Sequence, residues 1–182
     1  FRFNNSDPNL TIRTDSSEVR IIDFDHIEAP CTFGDTQPIG DQFPDGIEGV
    51  RFVDTGAMIL NECGGFGVSG HSSPNFLAFN NYAETGTNVT LMFDENSPNK
   101  VQLSAATGFD EGSLYATGYN LNDELVCQSS VSMSPETSTL TCDAGDDKLA
   151  FVKYSADVDI YIIDDLYVFN NIDEDEGEGG AL

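Results

Sequence analysis

Short runs of Val, Ile, Leu, Phe and Tyr recur along the chain, and residues typical of turns separate them. Such runs predict strands, and no stretch places its apolar residues convincingly at helical spacing. About ten strands at intervals of roughly 8 to 16 residues predict an all-β fold, an antiparallel β-sandwich. The predicted segments are, in chain order, VRIIDFDHI, GIEGVRFV, AMIL, NFLAFN, NVTLMF, KVQLSAA, SLYATGYNL, LVCQSSVSM, STLTC, KLAFVKYS and DIYIIDDLYVF.

The same pattern divides the chain into three parts. Residues 1–18 are polar and turn-rich, with one alternating segment, LTIRT, at 10–14, and we interpret them as an N-terminal arm. Residues 19–169 hold the strands and form one predicted domain, which is long enough to bury its own core. Residues 170–182, NNIDEDEGEGGAL, hold five acids and no base, a composition typical of a disordered tail.

Charge narrows the choice of partners. The 182 residues include 32 acidic and only 7 basic side chains, for a formal net charge of −25. Nucleic acid and anionic membrane surfaces are therefore not expected partners, since phosphate binding needs clustered Lys and Arg. No apolar run approaches the ~20 residues of a membrane helix, and no signal peptide is evident. We expect the chain, which starts at Phe1, to be a mature or trimmed form.

One glycine motif invites a nucleotide-binding interpretation. GFGVSG places Gly65, Gly67 and Gly70 at G-x-G-x-x-G spacing. That fingerprint works only between a buried strand and a helix, and the following HSSPN is a poor helix start. A strongly acidic protein would also repel a pyrophosphate. We therefore interpret the segment as a flexible glycine loop.

The four cysteines predict two disulfides. Cys127 and Cys142 lie symmetrically about Ser134-Pro135, which suggests a hairpin in which they face each other. At a non-hydrogen-bonded pair the Cα atoms would lie ~4.5 Å apart, at the short end of disulfide geometry. Cys31 and Cys63 then pair by elimination and tether the glycine loop.

Disulfides indicate an oxidising compartment, so we expect an extracellular or cell-surface protein. Three glycosylation sequons, at Asn4, Asn9 and Asn88, are compatible with export.

Several segments together resemble a known group of domains. They are IIDFDHI, IGDQFPDGIEGVRFV, SGHSSPNFLAFNN, NVTLMF, SLYATGYNLNDELV and DIYIIDDLYVF. In this order they resemble the jelly-roll modules of bacterial secreted and surface proteins, which are similar to carbohydrate-binding jelly rolls. The resemblance covers roughly residues 19–169 and implies an antiparallel jelly-roll β-sandwich.

The resemblance also implies a structural Ca²⁺ ion where the first and last strands meet. Carboxylates suitable for it occur in both strands, at Asp23, Asp25, Asp164 and Asp165. The alternative is that all four are solvated carboxylates of an acidic protein.

Alternation along the last strand separates two of these carboxylates. It places Asp164 on the face of Ile162, Leu166 and Val168, and Asp165 on the opposite face. Asp164 is therefore expected to be the more inward of the two.

Signals for catalysis are weak. GHSSP at 70–74 begins like a nucleophile elbow, but Pro74 replaces its final glycine and the required strand-to-helix turn is missing. His26 and His71 are the only histidines; nothing in their spacing requires a zinc site, and we expect both on the surface. Among 32 carboxylates some pair will always lie at a distance suited to glycoside hydrolysis, so such a pair is no evidence for that activity. We therefore expect that the protein is not an enzyme.

Two binding functions remain, and the first needs no pocket. We expect a secreted structural or adhesive subunit that assembles head-to-tail with its own copies into a filament or surface layer. Leu10 and Ile12 of the arm would add as a strand to a neighbour's sheet edge.

The alternative is a carbohydrate-binding, lectin-like module. Such modules present aromatic platforms to sugar rings, and the chain has no tryptophan. Tyr82, Tyr115 and Tyr119 are the candidates to replace it, although tyrosines in strands also serve sheet packing.

Overall fold

A computed structural model describes residues 17–83, 85–94, 97–109 and 111–171. These residues form two antiparallel sheets, which confirms the predicted all-β sandwich. The strands are β1 (Ser17–Ile22), β2 (Val50–Val53), β3 (Met58–Asn61), β4 (Asn75–Asn80), β5 (Asn88–Phe93), β6 (Lys100–Ala106), β7 (Gly112–Tyr119), β8 (Leu125–Met133), β9 (Ser138–Asp143), β10 (Phe151–Ala156) and β11 (Ile160–Asn171).

Among the described residues, helical structure is limited to short turns. An α-helical turn, α1, spans Ile39–Gln42, and 3-10 turns span Phe33–Asp35, Glu62–Gly64 and Asn81–Ala83. No helix in the described part of the chain has the length and hydropathy needed to cross a membrane.

The central strand of the larger sheet is β11. That six-stranded sheet has the order β3-β4-β11-β6-β9, and β1 also pairs with β11. One edge of β11 is shared, because β4 pairs with Ile160–Ile163 and β1 pairs with Leu166–Asn171. The five-stranded sheet has the order β2-β5-β10-β7-β8.

The main core lies between the sheets, and alternation along the strands fills it. In β6, for example, Val101, Leu103 and Ala105 are buried, while Lys100, Gln102 and Ser104, which alternate with them, are partly exposed. Phe79 and Tyr161 stack at the core with ring centroids 4.2 Å apart. Burial of such alternating residues is the main driving force for pairing the two sheets.

A second, smaller cluster lies on the outer side of the six-stranded sheet. It consists of Leu60, Phe76, Ala78, Ala106 and Ile162, and Phe33, Met58, Phe66 and Val68 pack against it. Loops therefore cover this part of the sheet, which is apolar on both faces.

The glycine loop, interpreted from the sequence as flexible, is part of that cover. Phe66 packs 5.0 Å from Phe76 and 5.9 Å from Phe33, measured between ring centroids. Gly65 and Gly67 have φ values of 69° and 68°, which favour glycine, and they let the chain turn so that Phe66 points inward. The nucleotide motif would require a helix directly after the loop. In the described residues the strand β4 follows instead.

The structure joins Cys31 to Cys63 and Cys127 to Cys142, as the sequence predicts. The predicted hairpin is wrong, however, because β8 and β9 belong to different sheets. The second disulfide crosses the core, with its Cα atoms 5.6 Å apart. Symmetric spacing about a turn makes two residues face each other whether the strands lie side by side or in opposed sheets.

Gly118 of β7 packs directly on this inter-sheet disulfide, and this contact gives a first prediction. A Cβ atom there would lie 2.5 Å from Cys127 Sγ and 2.6 Å from Leu149 Cδ2. We expect Gly118→Ala to lower the free energy of unfolding by about 1–3 kcal/mol through overpacking, measured by chemical denaturation without reductant.

The matched control is Gly34→Ala, because a Cβ atom at Gly34 meets nothing within 4 Å. We expect its effect to stay within about 0.5 kcal/mol. Equal stability of the two variants would contradict the packing at Gly118.

Candidate functional site

The first candidate site is a polar cluster between the end of β1, the start of β4 and the middle of β11. We call it the polar junction; its residues are Asp25, His71, Ser72, Asn75, Asp164 and Asp165.

Asn75 is the centre of the hydrogen bonds that fix the loops. Its Nδ2 donates to the carbonyls of Phe24 and Ile27, at 3.1 Å and 2.8 Å, and its backbone N–H donates to Asp25 Oδ1 at 3.0 Å. Its Oδ1 accepts from Asn61 Nδ2 at 3.2 Å. A buried amide with these partners holds the chain after β1 against the start of β4.

A bulge in β11 places Asp164. The register with β6 shifts between Asp164 and Tyr167, and Asp165 has a φ of 47°. The prediction that Asp164 shares a face with Leu166 and Val168 is therefore wrong. Those two residues face the main core, whereas Ile162 belongs to the outer cluster. An extra residue in a bulged strand switches every later side chain to the other face.

Asp164 is nevertheless fully buried. Its Oδ2 accepts a hydrogen bond from Ser72 Oγ at 3.0 Å and lies 3.7 Å from His71 Nδ1, while its Oδ1 is buried without a hydrogen-bond partner. Burial raises the pKa of Asp164 to about 6, and the contact with His71 opposes that rise. The Asp164 carboxylate in turn raises the pKa of His71.

The two histidines differ in environment, and only one is on the surface as predicted. His26 is exposed, 3.8 Å from Asp23 Oδ1. The His71 side chain is only 5% exposed and packs edge-on against Phe76, with ring centroids 5.1 Å apart. The prediction failed for His71 because the glycine loop that precedes it packs onto the sheet.

The polar junction is not arranged for nucleophilic catalysis. In a Ser-His-acid triad the imidazole takes the serine proton and the acid orients the imidazole. Here Ser72 Oγ donates directly to Asp164 Oδ2, and the same oxygen faces His71 Nδ1. The serine hydroxyl is therefore tied to the acid rather than activated by the base.

The four carboxylates predicted for calcium serve as hydrogen-bond acceptors. Asp23 Oδ1 accepts from the N–H of Asp25, Asp25 Oδ1 from that of Asn75, and Asp165 Oδ2 from that of Ser72. No group of three or more His, Cys, Asp or Glu suited to a metal occurs in the described ranges. The buried, unpartnered Oδ1 of Asp164 is the one donor that fits a cation, so calcium stays a prediction.

Other predicted site residues lie apart from the junction. Asn88 is the exposed first residue of β5. Asn4, Asn9, Leu10 and Ile12 lie outside the described residues, as do 1–16 of the arm and 172–182 of the tail.

The second candidate site is the outward surface of the five-stranded sheet, which we call the outer face. Register places Asn88, Ser155 and Tyr115 in one row across β5, β10 and β7. The next row holds Thr90, Lys153 and Thr117, and the third holds Met92, Phe151 and Tyr119. The outer face therefore combines hydroxyl groups, a cation and aromatic rings.

Its aromatic part is a stacked pair. The rings of Tyr119 and Phe151 lie 4.9 Å apart at 19°, and Lys153 Nζ lies 5.6 Å and 5.5 Å from their centroids. A cation this close to two ring faces is attracted by their quadrupoles. The lysine therefore flanks a small apolar platform.

Next to the platform is an open pocket of about 370 Å³. Thr90, Lys153, Tyr115 and Asp54 are among the residues that line it. Thr90 Oγ1 donates to Asp54 Oδ2 at 3.2 Å, and the Tyr115 hydroxyl donates to Asp157 Oδ2 at 3.2 Å. These contacts hold polar side chains in place at the surface.

Sequence reasoning found part of the outer face. Of the three candidate tyrosines, Tyr115 and Tyr119 lie on it, whereas Tyr82 lies in a separate 3-10 turn. Phe151 and Lys153 were missed, although their alternation in KLAFVKYS puts both on one face of a strand.

β1 presents a third surface, at an edge of the six-stranded sheet. Val19 and Ile21 are 42% and 51% exposed, and they pair with Phe169 and Tyr167 of β11. Lys100 Nζ lies 4.2 Å from the Phe169 ring centroid. Apolar side chains on an edge strand are suited to contact with another chain.

Comparison with solved structures finds matches at low sequence identity. The K2 cleaved adhesin domain of Lys-gingipain superposes with a TM-score of 0.50 at 14% identity, over 82% of this chain and 97% of that one. The K1 cleaved adhesin domain of Lys-gingipain from Porphyromonas gingivalis W83 gives 0.48 at 10% identity, over 86% and 99%. A family 29 carbohydrate-binding module gives 0.41 at 16% identity, over 84% and 88%.

No model of a protein family matches the sequence, and no curated protein matches it significantly. The likeness to the K2 domain confirms, at the level of fold, the resemblance to modules of surface proteins.

Calcium binding at the polar junction gives a second prediction. We expect Ca²⁺ to raise the melting temperature of the unaltered protein over that in chelator at fixed ionic strength, because an ion bound only to the native state stabilises it. Asp164→Asn should abolish this difference. The variant's melting temperature in chelator separately reports the loss of its contacts with Ser72 and His71.

The control is Asp143→Asn, an exposed carboxylate of β9, which should keep the calcium response. Identical melting curves of the unaltered protein with calcium and with chelator would contradict the site.

Proposed function

We propose that the chain is a non-enzymatic binding or adhesive module. The fold that it shares with an adhesin domain supports this proposal. The contacts of the polar junction support it as well, because its serine and carboxylates are used to hold loops together. Both disulfides fit an extracellular or cell-surface location.

The proposed ligand is a neutral glycan bound at the outer face. The observation that carries this proposal is the Tyr119–Phe151 platform beside a pocket with fixed polar side chains. A sugar ring has an apolar face, which suits an aromatic ring, and hydroxyls at its edge, which need donors and acceptors. Asp54 and Thr90 supply an acceptor and a hydroxyl, and Lys153 supplies a donor.

Charge favours neutral over acidic glycans. The protein carries a net charge of −25, so a polyuronate or sulfated chain approaches against a repulsive field. The single Lys153 on the platform does not offset that field at long range.

Binding to neutral polysaccharides gives the third prediction. We expect Tyr119→Ala to weaken binding by roughly two- to tenfold, since an aromatic contact contributes about 0.5–1.5 kcal/mol. The measurement is isothermal titration calorimetry with soluble neutral polysaccharides, after affinity electrophoresis has selected those that bind. Tyr82→Ala, which removes a highly exposed tyrosine from outside the outer face, is the matched control. Equal affinities of the two variants would contradict the assignment.

A second function, self-assembly, is favoured by the exposed apolar side chains of β1. We propose that the arm of one subunit adds to the β1 edge of another and that such head-to-tail contacts build a filament. Val19 and Ile21 supply apolar surface on the acceptor strand, and Leu10 and Ile12 on the arm. Salt or divalent cations should promote assembly, because they screen the repulsion between copies.

The fourth prediction therefore concerns a chain that lacks residues 1–16. Because β1 begins at Ser17, we expect this truncated protein to stay folded and to remain monomeric under conditions in which the full chain polymerises. Sedimentation and negative-stain electron microscopy measure both. Ile21→Ser should weaken polymers, whereas Leu121→Ser, at an exposed position in the β7–β8 turn, should not. Polymers of the truncated protein would overturn this function and leave glycan binding untouched.

A further inference from the structure

The two disulfides differ in exposure to solvent. Cys127 and Cys142 are 9% and 1% exposed, and their disulfide lies in the core between the sheets. Cys31 and Cys63 are both exposed, and they join two surface loops. Exchange requires a thiolate to reach a sulfur atom, so access decides which disulfide reacts. A reductant in solution therefore meets Cys31–Cys63 first.

The chain that starts at the first of these cysteines, residues 31–37, forms a segment that we call the strap. Its sequence is CTFGDTQ, and none of its residues is buried. Before it, the Pro30 carbonyl accepts a hydrogen bond from the N–H of Asn61 at 2.8 Å. After it, Ile39 is fully buried and its N–H donates to the Ala57 carbonyl at 2.8 Å. The strap thus lies between two fixed points of the chain.

Few contacts hold the strap besides its disulfide. The Phe33 ring lies 5.9 Å from the Phe66 ring, measured between centroids. The side-chain and backbone hydrogen bonds that the structure describes for the strap run within it or to Gln42 of α1. Segments with few buried contacts open locally at low free energy. The disulfide is therefore the main link between the strap and the sheet.

The glycine loop, at the other end of the disulfide, has anchors of its own. The N–H of Ser69 donates to the Pro135 carbonyl at 2.8 Å, and the Ser69 carbonyl accepts from the N–H of Thr137 at 2.9 Å. Phe66 packs on Phe76 with ring centroids 5.0 Å apart. Breaking the disulfide leaves all these contacts in place.

The strap also forms part of the wall of an apolar pocket of about 240 Å³. Phe33 and its two predecessors line this pocket together with Phe66 and Phe109, which do not belong to the strap. Displacing the strap removes one wall and exposes the apolar side chains behind it.

We infer that the Cys31–Cys63 disulfide is a redox-sensitive clasp, whose reduction by a small dithiol releases the strap and leaves the glycine loop and both sheets in place. One thiolate of the dithiol attacks a sulfur of the disulfide, the S–S bond breaks, and the cysteine that leaves as a thiolate takes up a proton. The second thiol of the reductant then displaces the other cysteine from the mixed disulfide. Two electrons pass to the protein, which gains two thiols, and the dithiol becomes a cyclic disulfide.

The first test measures selectivity in the full-length, native protein. The protein is treated with dithiothreitol without denaturant, and samples taken over time are alkylated with iodoacetamide and mapped as peptides. We expect Cys31 and Cys63 to be alkylated at least about tenfold faster than Cys127 and Cys142, because the inter-sheet disulfide becomes accessible only on unfolding. Equal rates for the two pairs would overturn the inference.

The second test locates the opening by limited proteolysis with chymotrypsin, which cleaves after aromatic residues. Phe33 and Phe66 provide one cleavage site in each of the two joined segments. In protein reduced and alkylated only at the exposed pair, we expect cleavage after Phe33 to rise at least about fivefold, while cleavage after Phe66 stays as it is in the oxidised protein. Unchanged cleavage after Phe33, or an equal rise at both sites, contradicts release of the strap alone.

The double variant Cys31→Ser, Cys63→Ser removes the clasp without reductant or alkyl groups. We expect it to show the fast cleavage after Phe33, and dithiothreitol should add nothing to it. Reoxidation of reduced, unalkylated protein with a low-molecular-weight disulfide should restore slow cleavage, as a reversible clasp requires. Circular dichroism checks the fold of each form. If the variant does not fold, the reduced, unaltered protein decides, and global unfolding of that protein would overturn the inference.

Discussion

The bulge in β11 is the constraint on which the rest of the structure depends. β11 pairs with β1, β4 and β6. A one-residue shift within it therefore changes which face of the sheet its later side chains occupy. After the shift, Leu166 and Val168 enter the core between the sheets. Before it, Ile162 lies under the loops on the outer side. Without the bulge, Leu166 and Val168 would lie on the same face as Ile162, and the core between the sheets would lose both side chains.

The buried carboxylate of Asp164, directly before the bulge, explains the position of the loop above it. An ionised carboxylate without partners in a dry site costs several kcal/mol. Ser72 and His71 both contact its Oδ2, so the segment that carries them has a fixed place. Phe66 of the same loop packs on Phe76. The loop is thus held by polar contacts at one point and by apolar contacts at another.

Sequence alone predicted what depends on local alternation and missed what depends on pairing across the molecule. The bounds of β4, β5, β6 and β8 coincide with apolar runs read from the sequence. The Cys127–Cys142 pair was predicted because symmetric spacing about a turn does not depend on the topology, and Cys31–Cys63 followed by elimination. The face of Leu166 was not predicted, because the register shift beside it exists only in the pairing of β11 with β6. The burial of His71 was missed for a related reason: a glycine-rich segment gives no local sign that its one phenylalanine anchors it.

The two sheets differ in what covers them, and this difference decides where a large ligand binds. Loops that carry Phe33, Phe66 and Val68 occupy the outer side of the six-stranded sheet, leaving only a small pocket at their margin. On the five-stranded sheet, alternation along β7 and β10 leaves Tyr115, Lys153 and Ser155 exposed in rows. An extended polymer needs such a continuous surface. Because loops pack on the six-stranded sheet and leave these rows of the five-stranded sheet exposed, the proposed glycan site lies on the five-stranded sheet.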